Sequence, residues 1–336
     1  MYNPSEVGKK GSIFGLPYNL EQSEIILIPV HLDVTVSYGL GTSKAPDLIL
    51  EESSQLDLSL LNISNPWELK TVMYDKVVQS SQNEIHRGRA RNVITALEAG
   101  REPEQDQLNF INEYCKEIHR SVEEISGSFL DLGKKVGVVG GDHSSPLGLI
   151  RALATKEEFG IFQIDAHMDL RKAYQGFDYS HASIMYNALR EENVKSLTQV
   201  GIRDFCEEEE LFVSESEKSI HVFYDEQLFN KRMEGVTLAT IADEIIRTLP
   251  DKVYISFDMD GLDQSLCPNT GTPVPGGLQF NEAVYLMEQI VRSGRTIVGF
   301  DVCETGNGAW DANVAARIIY RLASLTGVSS GLLKFK

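Results

Sequence analysis

Short runs of Val, Ile, Leu and Phe recur along this chain, separated by stretches whose apolar residues fall three and four positions apart. The runs EIILIPV, VGVVG, IFQID, TQVGIR, HVFYD, VYISFD and TIVGFD predict strands, and VGVV, IFQI and VYISF, short and rich in Val, Ile and Phe, read as buried strands of a parallel sheet. The segments NEAVYLMEQIVRSG and ANVAARIIYRLASLTG have helical spacing instead. From Val136 onward the two patterns alternate, which predicts an α/β fold of three layers, α/β/α, around a central, mostly parallel sheet. The stretch from about residue 62 to 133 is more polar, with helical spacing in NVITALEAG and FINEYCKEIHRSVEEI and no evident chemistry. It is expected to be a helical elaboration that covers a site or makes a subunit contact. No linker rich in Pro, Gly and Ser divides the chain, so residues 1–336 are expected to form one domain.

Three of the apolar runs end in acidic and imidazole side chains. Gly140-Gly141-Asp142-His143-Ser144 follows VGVV, Asp165-Ala166-His167-Met168-Asp169 follows IFQI, and Asp258-Met259-Asp260-Gly261 follows VYISF. Alternate residues of an extended segment project to the same side, so Asp165, His167 and Asp169 can face one point, as can Asp258 and Asp260. Ligands of open α/β sheets collect at the carboxyl ends of the strands. One Asp-x-Asp after a strand is commonly a solvated loop or a helix cap. Three such segments at the same end of the same kind of element point to a cage.

Two imidazoles, four carboxylates and no thiolate suit a hard divalent cation such as manganese better than a structural zinc site. Six side chains exceed the needs of one tetrahedral ion, and four Asp charges balance two dications. A pair of ions roughly 3.5 Å apart can hold a hydroxide between them and bring the pKa of its parent water toward neutrality. Hydrolysis is the implied chemistry.

The strings GGDHS, DAHMDLR, SFDMDGLD followed by GTPVPGG, and the late Asp301-Val302-Cys303-Glu304 resemble the ureohydrolase family of arginases, agmatinases and related guanidino hydrolases. The resemblance runs from about residue 30 to 322. It implies an arginase-like fold, a homo-oligomer and two Mn2+ per chain on His143, Asp165, His167, Asp169, Asp258 and Asp260. It also implies that Glu304 holds the bound guanidinium, that Thr272 touches it, and that His181 in Tyr179-Ser180-His181-Ala182-Ser183 transfers a proton. His181 is expected to titrate near neutrality. Asp169 is expected to accept a hydrogen bond from the attacking hydroxide while ligating metal.

Departures from arginase bear on the substrate. The stretch RKAYQGFDYSHAS lacks the asparagine with which arginases hold the amino-acid carboxylate, and Asp204-Phe205-Cys206 lacks their second aspartate for the α-amino group. Agmatine, hydrolysed to putrescine and urea, is therefore the expected substrate. Asp178 and the Glu207 to Glu210 run are candidates for receiving its free amine. Guanidinobutyrate, formiminoglutamate, guanidine and arginine are the competing substrates. A single-zinc deacetylase relative is disfavoured by His143, Asp165 and Asp260, and a binding or assembly paralogue by the intact cage.

The net charge of −18 argues against nucleic acid or an anionic membrane as a partner and favours a small cationic substrate. Cys115, Cys206, Cys267 and Cys303 are scattered without CxxC spacing, which is expected of reduced thiols in the cytoplasm. Neither the polar N-terminus nor any later run reads as a signal peptide or a membrane span.

Overall fold

The computed structural model describes residues 3–76, 78 and 82–336. Among these residues eight strands form one sheet: β1 (Ile25–Pro29), β2 (Thr71–Met73), β3 (Lys135–Val139), β4 (Phe159–Ile164), β5 (Val194–Ile202), β6 (Ser219–Tyr224), β7 (Lys252–Asp258) and β8 (Thr296–Cys303). Their order is β2-β1-β3-β8-β7-β4-β5-β6, and every neighbouring pair is parallel. Ten α-helices among the described residues accompany them: α1 (Ala45–Glu52), α2 (Asn83–Glu98), α3 (Gln105–Asp131), α4 (Leu147–Ala154), α5 (Ile184–Leu189), α6 (Glu207–Glu215), α7 (Asp225–Met233), α8 (Leu238–Ile246), α9 (Phe280–Arg292) and α10 (Ala309–Ser329).

The period of two along each strand divides the apolar residues between two cores. Leu27, Phe162 and Ile255 pack with Ile49 of α1, Ile245 of α8, Met287 of α9 and Ile319 of α10. Their strand neighbours Ile28, Ile161 and Tyr254 face the other way, toward Ile94 of α2, Ile118 of α3, Ile150 of α4 and Met185 of α5. A strand sandwiched in this way buries both faces, which is why the runs show no polar alternation. The three-layer architecture agrees with the expectation.

The 62–133 segment contains the two helices read from its spacing and, in addition, the short strand β2, which pairs with β1 at the sheet edge. Three residues, Thr-Val-Met, are too few to stand out as an apolar run. α3 carries a buried stripe of Ile111, Cys115, Ile118, Val122 and Phe129, and so forms part of the second helical layer. Among the described residues no helix is long and apolar enough to cross a membrane. The four cysteines are free.

Candidate active site

Sheet order brings the chemistry together. Strands β3, β8, β7 and β4 are consecutive in space. Their carboxyl ends lead directly into His143, Glu304, Asp258 with Asp260, and Asp165 with His167 and Asp169. Parallel strands place all these segments at one edge, where the crossover helices leave a crevice. The tight turn after β3 requires glycine at 141, since a Cβ there would lie 1.9 Å from Leu32 O. The turn is held by the Asp142 N–H donating to Leu32 O at 2.7 Å and the Glu304 N–H donating to Gly141 O at 2.8 Å.

Two groups of metal-type ligands meet there: His143, Asp165 and Asp258, and then Asp165, His167 and Asp260. Asp165 belongs to both. Its Oδ2 lies 3.0 Å from His143 Nδ1 and its Oδ1 lies 3.6 Å from His167 Nδ1. Asp169 Oδ2 and Asp258 Oδ2 approach the same His143 nitrogen at 2.9 and 3.2 Å, while His167 Nδ1 lies 3.1 Å from Asp260 Oδ2. Three carboxylate oxygens thus converge on a buried ring nitrogen that makes no hydrogen bond with any of them. That is the geometry of donors aimed at a cation. On the far side of the ring, His143 Nε2 lies 2.9 Å from Ser256 Oγ, a contact that orients the ring with Nδ1 facing the carboxylates.

Electrostatics points the same way. Burial, followed by Asp260 and Asp165, pushes the Asp258 carboxyl well above the usual carboxylate range. Burial and Asp165 raise Asp169 to about 7. Carboxylates this close and this dry must take protons or gather cations. A donor set of five hard or borderline ligands in two overlapping groups, with Asp169 beside them, fits a pair of divalent ions.

Glu304 stands beside the cluster with one oxygen engaged and one free. Its Oε1 accepts the His143 N–H, while its buried Oε2 has no partner among the described residues. Burial, then Asp142, pushes its pKa well above the ordinary value. Both Glu304 and Asp169 adopt φ 56°, a left-handed conformation that non-glycine residues take at a cost of about 1–3 kcal/mol. Such strain is tolerated where surrounding contacts dictate side-chain direction.

A cavity of about 380 Å³ opens onto the cluster. His167, Asp169, His181 and Thr272 line it, together with Tyr38, Arg171, Tyr174, Asp204 and Phe205. Thr272 Oγ1 donates to Asp260 Oδ2 at 3.2 Å, tying the cavity wall to the cluster. The RKAYQGFDYSHAS stretch folds back on itself through paired main-chain hydrogen bonds between Tyr174 and Phe177. The edge of the Tyr174 ring then meets His181, with centroids 6.0 Å apart. His181 departs from the expected near-neutral titration: burial, then His167 and His143, lowers it to about 4.

Of the expected amine-binding candidates, Glu209 lines the cavity but both its oxygens are engaged by the main chain, while Asp178, Glu207, Glu208 and Glu210 are not among the lining residues. Glu209 accepts the N–H of Leu170 and of Cys206, each at 3.1 Å. The exposed carboxylate on the wall is Asp204, whose Oδ2 lies 3.8 Å from His167 Nε2. Gln163 and Ser256, absent from the expected site, and Asp301, quoted there without a role, are polar residues inside otherwise apolar strand runs. Gln163 Nε2 donates to Asp165 Oδ2 at 2.6 Å, and Asp301 Oδ1 lies 3.8 Å from His143 Nε2. For Gln163 and Ser256 the available signal was a polar residue on a fully buried strand, two positions before a ligand and therefore on its side; Asp301, three positions before Glu304, has no such spacing.

A model of the Arginase family matches residues 23–324. The chain is 32% identical over 320 residues to an N(1)-aminopropylagmatine ureohydrolase of Thermus thermophilus, spanning 94% of each chain. It is 26% identical over 318 residues to an agmatinase of Pyrococcus horikoshii, spanning 92% of this chain and 94% of that one. In fold it superposes on the proclavaminate amidino hydrolase of Streptomyces clavuligerus with a TM-score of 0.74, at 20% identity, across 96% of this chain and 99% of that one. With the family model matching most of its length, and a relative at nearly one-third identity matching it from end to end, the chain belongs to the arginase family of ureohydrolases.

Proposed function

We propose that this enzyme hydrolyses a linear guanidino compound without an amino-acid head group, of the agmatine class, releasing urea and an amine, with two Mn2+ bound per chain. Agmatine would give putrescine; its N-aminopropyl derivative carries the same reacting end. The observation behind this reading is one juxtaposition. A twin ligand group sharing Asp165 lies against Glu304, a buried carboxylate with one oxygen free to receive a guanidinium N–H.

His143, Asp165, His167, Asp169, Asp258 and Asp260 would hold a pair of divalent ions, which would supply Lewis acidity and a nucleophile at neutral pH by lowering the pKa of water. Glu304 holds the guanidinium and fixes its carbon, which delocalised charge makes a poor electrophile, over the cluster. Asp169 accepts a hydrogen bond from the attacking water and turns its lone pair toward that carbon. A C–O bond forms, the C–N bond to the alkyl chain breaks, and the departing nitrogen takes up a proton. His181 delivers it. Burial disfavours the charged ring, so His181 relays a proton released in the reaction rather than arriving charged.

At the mouth, Asp204 and the rings of Tyr38, Tyr174 and Phe205 suit a cationic tail. One observation favours a second reading. The Arg171 guanidinium also lines the cavity, 5.1 Å from the Tyr174 ring, and could pair with the carboxylate of guanidinobutyrate. Urea release measured across agmatine, N-aminopropylagmatine, guanidinobutyrate, formiminoglutamate, guanidine and arginine decides. The agmatine class should exceed arginine by at least tenfold, since each unpaired head-group charge costs on the order of 1–3 kcal/mol. Equal turnover of arginine would overturn the assignment, and a preference for guanidinobutyrate would transfer it to the acid.

A further inference from the structure

The lip of the catalytic cavity is a loop after β1, and a helix outside the site holds it. Ser37 and Tyr38 line the cavity, and the Gly39 N–H donates to Gly271 O at 2.9 Å, next to Thr272 on the opposite wall. At the base of this loop sits Asp33, fully buried. Its Oδ2 accepts the N–H groups of Gly41 and Ser43, at 3.2 and 3.4 Å, which folds the loop back on itself. The counter-charge comes from α2. Arg87 Nη1 lies 2.8 Å from Asp33 Oδ1 and 2.9 Å from Oδ2, and Asn83 Nδ2 donates to Oδ1 at 2.5 Å. Arg87 has one other ion pair among the described residues, a 4.0 Å contact with the exposed Glu84.

Tyr38 is shared. It lines the catalytic cavity and also a second cavity of about 570 Å³ behind the lip, whose other walls include Val36, Leu40, Arg87 and Arg91. The lip is therefore a thin partition with space on both sides, and Tyr38 is 78% exposed. Its tip at Tyr38 and Leu40 is exposed, and the hydrogen bonds of Gly39, Gly41 and Ser43 hold it. We propose that Arg87, acting through Asp33, is a positioning residue that fixes this lip and thereby sets substrate capture. The proposal rests on the reading that substrate occupies the cavity in front of Tyr38. It gives the 62–133 segment a role in the site that it does not touch.

The test compares kinetics on the best guanidino substrate with tryptic cleavage after the exposed Lys44, at the end of the lip, in the metal-loaded protein. Arg87→Met should raise KM about tenfold, keep kcat within about threefold, leave metal content unchanged and speed cleavage at Lys44. Arg87→Lys, which keeps a cation, should restore most of the KM. In a Tyr38→Ala background, Arg87→Met should change KM by less than about twofold, because both substitutions remove the same lip contact. If Arg87→Met fails to fold around the unpaired Asp33, the doubly neutral Asp33→Asn/Arg87→Met protein replaces it, with the same KM and cleavage expected. Fully additive effects, an unchanged KM, unchanged cleavage at Lys44, or a loss of kcat accompanied by loss of metal would each overturn the proposal. Inactivity of the parent on every guanidino compound would instead refute the substrate reading, and cleavage at Lys44 would then decide alone whether Arg87 holds the lip.

Discussion

The main-chain N–H of His143 donates to Glu304 Oε1 at 2.9 Å, so one hydrogen bond joins a metal-type ligand to the carboxylate proposed to hold the guanidinium. It leaves Oε2 as the free oxygen. That oxygen has a glycine as neighbour: a Cβ at position 271 would lie 2.7 Å from it.

Gly271→Ala should therefore injure substrate capture without touching the metals. Glu304 cannot swing aside without giving up the His143 hydrogen bond, and its backbone already sits at φ 56°. The expected outcome is a KM raised at least about tenfold with two metal ions retained. Steady-state kinetics beside metal analysis checks it, and an unchanged KM would mean that the guanidinium does not approach Oε2.

Asp165 is the one carboxylate common to both ligand groups. Asp165→Asn should lower metal content below two ions per chain and abolish turnover, while the fold, held by apolar packing on both sheet faces, persists. Chelation of the parent should remove activity, and manganese should restore it best. A single tightly held zinc, with no gain from manganese, would contradict the assignment.

Removing His181 should separate chemistry from binding. His181→Asn is expected to lower kcat by about two to four orders of magnitude, the usual scale for losing a proton-transfer group, with metal content unchanged. Glu304→Gln should raise KM as well. Metal loss in His181→Asn, or intact turnover, would show that the proton travels by another route.

Acid sensitivity has one source outside the site. His119 on α3 is fully buried, and burial, reinforced by Arg151 and partly offset by the main chain of Ser144, lowers its pKa to about 3. In the unfolded chain the imidazole takes a proton near pH 6.5, roughly its unperturbed value. Between these values the unfolded state binds more protons, so stability rises with pH across the interval and is lost as pH falls from about 6.5. The slope approaches about 1.4 kcal/mol per pH unit where only the unfolded imidazole is protonated. His119→Leu should flatten this acid limb in urea-unfolding midpoints taken from pH 7 down to 4.5. Parallel limbs in the two proteins would assign the effect elsewhere.

What the sequence determined by itself was local. Among the described residues, six of the eight strands were legible because a strand buried on both faces must be apolar throughout, β6 by its short apolar run although it is only half-buried at the sheet edge, and the ligand segments because alternate residues beyond a strand end share a side. The stripe on α3 and the glycines of the Gly140-Gly141 turn belong to the same order of information. β2 escaped because three residues make no pattern, and the His181 shift because it depends on burial and on charges distant in sequence. Only the tertiary structure decided that β3, β8, β7 and β4 lie side by side, so that His143 and Glu304, 161 residues apart, share a hydrogen bond. It also decided that Asp204 rather than Asp178 faces the cavity, that Gly271 guards Glu304, and that Arg87 reaches Asp33. Periodicity reports which way a side chain points from its own element; which strands become neighbours depends on how helices pack across the sheet, a property of the whole chain.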